Sequence, residues 1–117
     1  MREIEFRVWS KSYKEIVKVD LLGKNKVLSS RTWFDFNDIE LMQYTGLKDK
    51  NGVKIFEGDI VKFTTGPFTS IGIVKFYDGM FVVEDIEDDE CTEILCYCDE
   101  LEVLGNCWEN PELLEVE

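Results

Sequence analysis

"IGIVKFYDGMFVVED", residues Ile71 to Asp85, is the stretch on which the fold turns. Asp78-Gly79 stands between two runs rich in β-branched and aromatic residues, and this dipeptide accepts the positive backbone angles of a two-residue hairpin turn. A turn there sets Tyr77 opposite Met80, Phe76 opposite Phe81 and Val74 opposite Val83. Successive side chains on a strand point to opposite faces, so Phe76, Phe81, Val74 and Val83 share a face and are expected in the core.

The same pattern continues outward. "EIEFRVW" (Glu3–Trp9) alternates Ile4, Phe6 and Val8 with Glu3, Glu5 and Arg7, a half-buried strand. After the turn-forming "SKSY", "KEIVKVDLL" (Lys14–Leu22) is suited to pair back on it. "IELMQY" (Ile39–Tyr44) is a further strand, and Asn51-Gly52 predicts a hairpin of the two-residue type. "GDIVKF" (Gly58–Phe63) is a strand, "TTGPFTS" (Thr64–Ser70) a loop, and "TEILCYC" and "LEVLGNCW" complete the strands. "NPELL" places Asn110 as N-cap and Pro111 at the first position of a short helical turn. Residues 23–38 mix turn formers with Trp33, Phe34 and Phe36, an aromatic cluster expected as a core plug. The fold expected is mainly β: a small antiparallel barrel or curled sheet, with an SH3-like barrel element and a short C-terminal helical turn.

A chain of 117 residues suits one domain with one core. No stretch approaches the ~20 consecutive apolar residues of a membrane helix and the N-terminus lacks the apolar stretch of a signal peptide, so a cytoplasmic protein is expected, with Cys91, Cys96, Cys98 and Cys107 as thiols. There is no histidine, the side chain most used for acid-base and metal chemistry near neutral pH. Net charge is -12, unevenly spread: up to Lys75 there are 13 basic and 10 acidic residues, and after it 15 acidic and none basic. Phosphate contact needs lysine or arginine, so direct nucleic-acid binding through Arg2, Arg7, Lys11, Lys14 and Lys18 ranks last.

Four candidate sites follow. Glu57 and Asp59 flank Gly58, and paired carboxylates can do acid-base work. Gly-Asp before a strand is also turn chemistry, with glycine taking the unusual angle and aspartate accepting a backbone N–H, and that reading is preferred. The cysteines lack zinc-knuckle spacing, and Cys96 and Cys98, alternating about 6.7 Å apart on a strand, are expected as buried packing. Lys48, Lys50 and Lys54 surround a glycine-bearing turn that matches no phosphate loop. The run Glu84, Asp85, Glu87, Asp88, Asp89 and Glu90 lacks the glycine and terminal glutamate of a calcium loop, and its charges suit an anionic surface for a basic partner.

Three blocks, "REIEFRVW", "QYTGLKDKNGVKIFEGDIVKF" (Gln43–Phe63) and "LEVLGNCWENPELL" (Leu101–Leu114), resemble in order and spacing the YopX-like family of small bacteriophage and prophage proteins. Residues 20–38 and 84–98 are individual to this chain. It departs from the family at Cys107-Trp108, where an aliphatic residue followed by tyrosine is more usual, and at Val8, where alanine is common. The resemblance implies a mainly β domain, carriage on a mobile phage genome and self-association, and brings no catalytic residues. Its shared positions Gly46, Asn51, Gly52, Gly58, Asp59, Gly105, Asn110 and Pro111, with Asp78 and Gly79 of the hairpin, are expected as structural turn residues.

The function expected is a non-enzymatic accessory protein without cofactors that binds a host or phage protein and assembles with itself. One alternative is an acidic mimic of DNA that occupies a host nucleic-acid-binding protein. Another is a small metal-dependent hydrolase or nuclease using Glu57 and Asp59.

Overall fold

The computed structural model describes residues 4–87 and 92–114. The chain forms two compact units, Met1–Tyr44 and Thr45–Glu117. Among the described residues two clusters of buried apolar side chains stand out, one in each unit. Among the described residues no helix is long and apolar enough to cross a membrane.

In the first unit β1 (Phe6–Ser10) pairs on one side with β2 (Glu15–Lys18) and on the other with the start of β6 (Ile39–Lys48). β3 (Leu21–Leu22), β4 (Lys26–Ser29) and β5 (Thr32–Asp35) form a separate antiparallel sheet in the segment whose structure was not legible from sequence. The reason is its turn. Ser30 and Arg31 adopt φ 48 and 69, a geometry that normally advertises itself with glycine or asparagine, and the Asp20 carboxylate accepts the Ser30 N–H at 2.8 Å from ten residues away. Val27 and Phe34, opposite each other, pack with Val8 and Ile39. Trp33 falls on the other face and is 53% exposed, and Phe36 is exposed too, so of the expected aromatic plug only Phe34 is core.

In the second unit a five-stranded antiparallel sheet runs in the order β11 (Thr92–Ile94), β10 (Met80–Asp85), β9 (Phe68–Tyr77), β8 (Asp59–Thr65), β12 (Glu100–Asn106), curled as a half-barrel. β7 (Lys54–Phe56) precedes it and pairs with β6. The β9–β10 hairpin has the expected register, Tyr77 opposite Met80, Phe76 opposite Phe81 and Val74 opposite Val83, with Asp78 and Gly79 at φ 52 and 81. Val74 and Val83 join Val61, Phe63, Ile55 and Leu95 in the core. Phe76, expected there, is 53% exposed at the hairpin end of that face, edge-on to Phe81 at 5.0 Å.

Two sequence expectations are corrected here. The ladder between β8 and β9 does not stop in a loop: Thr65 sits opposite Phe68, and Gly66, at φ 57, with Pro67 makes a two-residue turn. Proline fits because that turn position needs no ladder N–H. "TEILCYC" is a strand only to Ile94; a 3₁₀ turn over Leu95–Tyr97 follows, with Leu95 fully buried.

Candidate functional site

The Gly58-Asp59 pair resolves into geometry. Gly58 sits at φ 84, a left-handed angle that costs a residue with a side chain more than it costs glycine. Its N–H donates to the Val74 carbonyl at 2.9 Å and its carbonyl accepts the Cys107 N–H at 2.9 Å, so three strands meet there. Asp59 is 1% exposed, and its Oδ2 accepts the Phe56 N–H at 2.8 Å, closing the turn ahead of β8. Glu57, two residues away, is half-buried.

A second aspartate, absent from the sequence expectations, does the same work more fully. Asp49 is 7% exposed. Its Oδ1 accepts the N–H groups of Asn51 and Val53 at 2.8 and 2.9 Å, and its Oδ2 accepts the N–H of Val103 at 2.9 Å. Burial pushes its pKa up, but the bonds from Val103, Val53 and Asn51 and the charge of Lys50 outweigh that, and the carboxyl titrates below the ordinary value. The hairpin differs from the expected two-residue type, because of Asn51 and Gly52 only Gly52 takes a positive φ, 82. Asp49 N–H donates to the Val53 carbonyl at 2.8 Å and Gly52 N–H to the Asp49 carbonyl at 3.0 Å, a three-residue loop whose last position is glycine. The Lys50 N–H reaches the Leu101 carbonyl at 3.0 Å, so Asp49 and Lys50 together cover the outer edge of β12. The signal available was Asp two residues before Asn-Gly, the pattern of an Asx turn.

The remaining turn positions have separate jobs. Gly46 lies inside β6, not in a turn, at φ 87; beside it Thr45 Oγ1 donates to the Ile55 carbonyl at 2.8 Å. Gly105 follows the bulge in β12, and a Cβ there would collide with Asn110 Oδ1. That oxygen accepts the Asn106 N–H at 3.2 Å, so the Asn110 side chain turns back to β12, while its carbonyl accepts the Leu113 N–H at 3.0 Å in the turn Pro111–Leu114. Asn106 Oδ1 in turn accepts the N–H groups of Trp108 and Glu109 at 3.0 and 2.8 Å.

Of the cysteines expected as buried packing, Cys98 packs against the core of the second unit. Cys96 is exposed in the 3₁₀ turn, and Cys98 and Cys107 are half-buried; Cys91 lies outside the described residues. Burial first, then the charges of Glu93 and Asp99 and the neighbouring Cys96, push the Cys98 thiol up to about 11, so it is a poor nucleophile. Among the described residues no three His, Cys, Asp or Glu are grouped to hold a metal ion. Of the three lysines, Lys50 bridges Glu100 and Glu102, both at 3.2 Å, and this pairing raises its pKa.

The acidic run divides. Glu84 pairs with Lys75 at 3.1 Å. Asp85 accepts the Ser70 hydroxyl at 2.6 Å and the Glu87 N–H at 2.8 Å. Asp88, Asp89 and Glu90 lie outside the described residues. Asp85 also lines a groove of about 450 Å³ with Phe63, Thr65, Phe68, Thr69, Ser70 and Glu93. Register explains it. Phe63 lies opposite Ser70, Thr65 opposite Phe68, Gly72 opposite Asp85 and Val83 opposite Glu93, so these residues continue the face that carries Val61, Val74 and Val83. Past Gly72 the core residues give way to threonine, serine and carboxylates, and the face opens to solvent. The sequence signal was polar residues at Thr65 and Ser70, in phase with core positions.

The match to known proteins agrees with this β architecture. The family model for YopX protein covers residues 5–115. The chain belongs to the YopX family. Of solved structures, the family member is similar to protein EF1440 from Enterococcus faecalis, at 30% identity over 98% of this chain and 100% of that one, with a TM-score of 0.74. It is also similar to protein yopX from Bacillus subtilis, at 25% identity over 100% of this chain and 99% of that one, with a TM-score of 0.63. No curated protein matches it.

Proposed function

We infer that this YopX-family protein is a non-catalytic phage or prophage accessory module of the host cytoplasm that works by docking onto another protein and by associating with itself. The observation that carries this reading is the disposition of the carboxylates. Asp59, half of the pair best suited by sequence to acid-base chemistry, is buried on the Phe56 N–H. The Thr45–Glu117 unit nevertheless holds 18 acidic and 5 basic residues, a formal charge of -13, with an acidic groove on its sheet. A surface of that kind favours basic partners and accelerates their encounter at low salt. Gel filtration with light scattering at low and high salt, together with affinity capture from an extract of the host, tests the proposal. Assembly or a basic partner that weakens as salt rises is expected. A strict monomer at every concentration with no partner recovered overturns it, as does turnover of a phosphodiester or peptide substrate that is lost in Glu57→Gln.

A further inference from the structure

We propose that the outer face of the β3–β4–β5 sheet is a contact between two copies of this chain, paired about a two-fold axis that runs along the strands between β4 and β5. The proposal rests on the self-association in the reading above and adds where the two copies meet. Leu21 lies opposite Leu28 and Leu28 opposite Trp33, so the three form one row across the sheet. Val27 and Phe34, one position along, take the core face, which leaves the row on the outer one. Leu21 and Trp33 are each 53% exposed there, and Leu28 is half-buried. An open row of large apolar side chains, side by side and rimmed by charge, is the composition of a contact surface.

The charges choose the occupant. On the same face, two residues along from Leu28 and Trp33, Lys26 lies opposite Asp35, and both are exposed. A partner of one charge sign gains from one of them and is repelled by the other. A second copy satisfies both. Rotation about an axis between β4 and β5 places each of these strands over the other, so Leu28 covers the partner's Trp33 and Lys26 covers the partner's Asp35, each contact occurring twice. An axis along β4 itself would instead stack Lys26 on the partner's Lys26. The size of the face sets the strength. With three strands about 4.8 Å apart, the longest of four residues, it is about 14 Å square, well under the ~800 Å² each partner gives a stable interface, so the pairing is weak and reversible.

Sedimentation velocity on the full chain, from micromolar to millimolar concentration, tests this, with circular dichroism to check that each variant folds. The wild type dimerises as concentration rises. Trp33→Ser weakens the dimer at least about tenfold. Lys26→Glu and Asp35→Lys each set like charges against one another twice and weaken it by about five- to tenfold. The deciding sample is an equal mixture of Lys26→Glu and Asp35→Lys copies, where every pair across the axis is again of unlike charge, and association returns to within about twofold of the wild type. Phe68→Ser, at a position 75% exposed in the other unit, leaves association as it was. A mixture that associates no better than its two components overturns the proposal. So does a wild-type dimer that Trp33→Ser leaves intact, in which case self-association stands and only its location fails. A host protein whose capture depends on Trp33, while self-association does not, assigns the face to that protein and likewise overturns the proposal. A chain that stays monomeric over the whole range removes the self-association reading and this contact together.

Discussion

Two pairs of carboxylates in the Thr45–Glu117 unit have nearly the same chemistry and opposite fates. Asp49 and Asp59 are buried and hold backbone N–H groups: those of Asn51, Val53 and Val103 for the first, that of Phe56 for the second. Asp85 and Glu93 line an open groove with Phe68. The difference follows from what the main chain leaves unpaired. At the turn before β8, and where the 49–53 loop meets the outer edge of β12, donors point inward with no carbonyl opposite, and an orphaned buried N–H is costly. A carboxylate at such a point is a piece of secondary structure. In the groove Asp85 is half-buried and takes the Ser70 hydroxyl and the Glu87 N–H, both near it in the sheet or the chain, and Glu93 is exposed. Net charge alone therefore overstates the surface offered to a partner, and burial tells the two kinds apart.

The sharpest way to break this comparison is to remove the buried members. Asp49→Ala orphans three donors and is expected to cost about 3 kcal/mol, read as a lower urea midpoint with an unchanged slope. Its contribution also depends on pH. The folded-state value is depressed, so the stabilisation is fully present above the ordinary aspartate value of about 3.9 and is lost as pH falls through the folded value. The gap between the wild type and Asp49→Ala should narrow below about pH 4, and a gap constant from pH 7 to pH 2 contradicts an ionic role. Asp59→Ala, with one donor orphaned, is expected to cost about 2 kcal/mol by the same measurement.

Smaller effects sharpen it. Gly105→Ala pushes Asn110 off the Asn106 N–H and is expected to cost about 1 kcal/mol, with the loss confined to the C-terminal turn in amide exchange. Lys50→Ala removes two exposed ion pairs and should leave the thermal midpoint within error at moderate salt, because such pairs are screened and flexible. A shift as large as that of Asp59→Ala means the pairs with Glu100 and Glu102 help hold the edge of β12.

How much of this was legible depends on where each residue's partner lies. Asp78-Gly79 carries its turn in its own two residues, and the register of β9 with β10 followed directly. Ser30-Arg31 makes a turn of similar angles with help from Asp20, a long-range contact that local chemistry does not announce. Gly58-Asp59 was readable because donor and acceptor are three residues apart. Half of Asp49's role was readable, in the local bonds to Asn51 and Val53, and half was not, since Val103 is 54 residues away. The groove shows in sequence only as Thr65 and Ser70 in phase with core residues. That Asp85 and Glu93 join them required the registers of β9 with β10 and β10 with β11.

Amide hydrogen exchange at Val103 tests the central claim most directly, because this N–H on the outer edge of β12 is bonded to a side chain and not to a strand. It should be protected in the wild type and exchange freely in Asp49→Ala, with Ile73 in the centre of the sheet unaffected and with Glu93→Gln matching the wild type. A Val103 amide that exchanges as fast in the wild type as an exposed one, or one that Glu93→Gln deprotects as much as Asp49→Ala, contradicts the division between carboxylates that hold the chain and carboxylates that line the open groove.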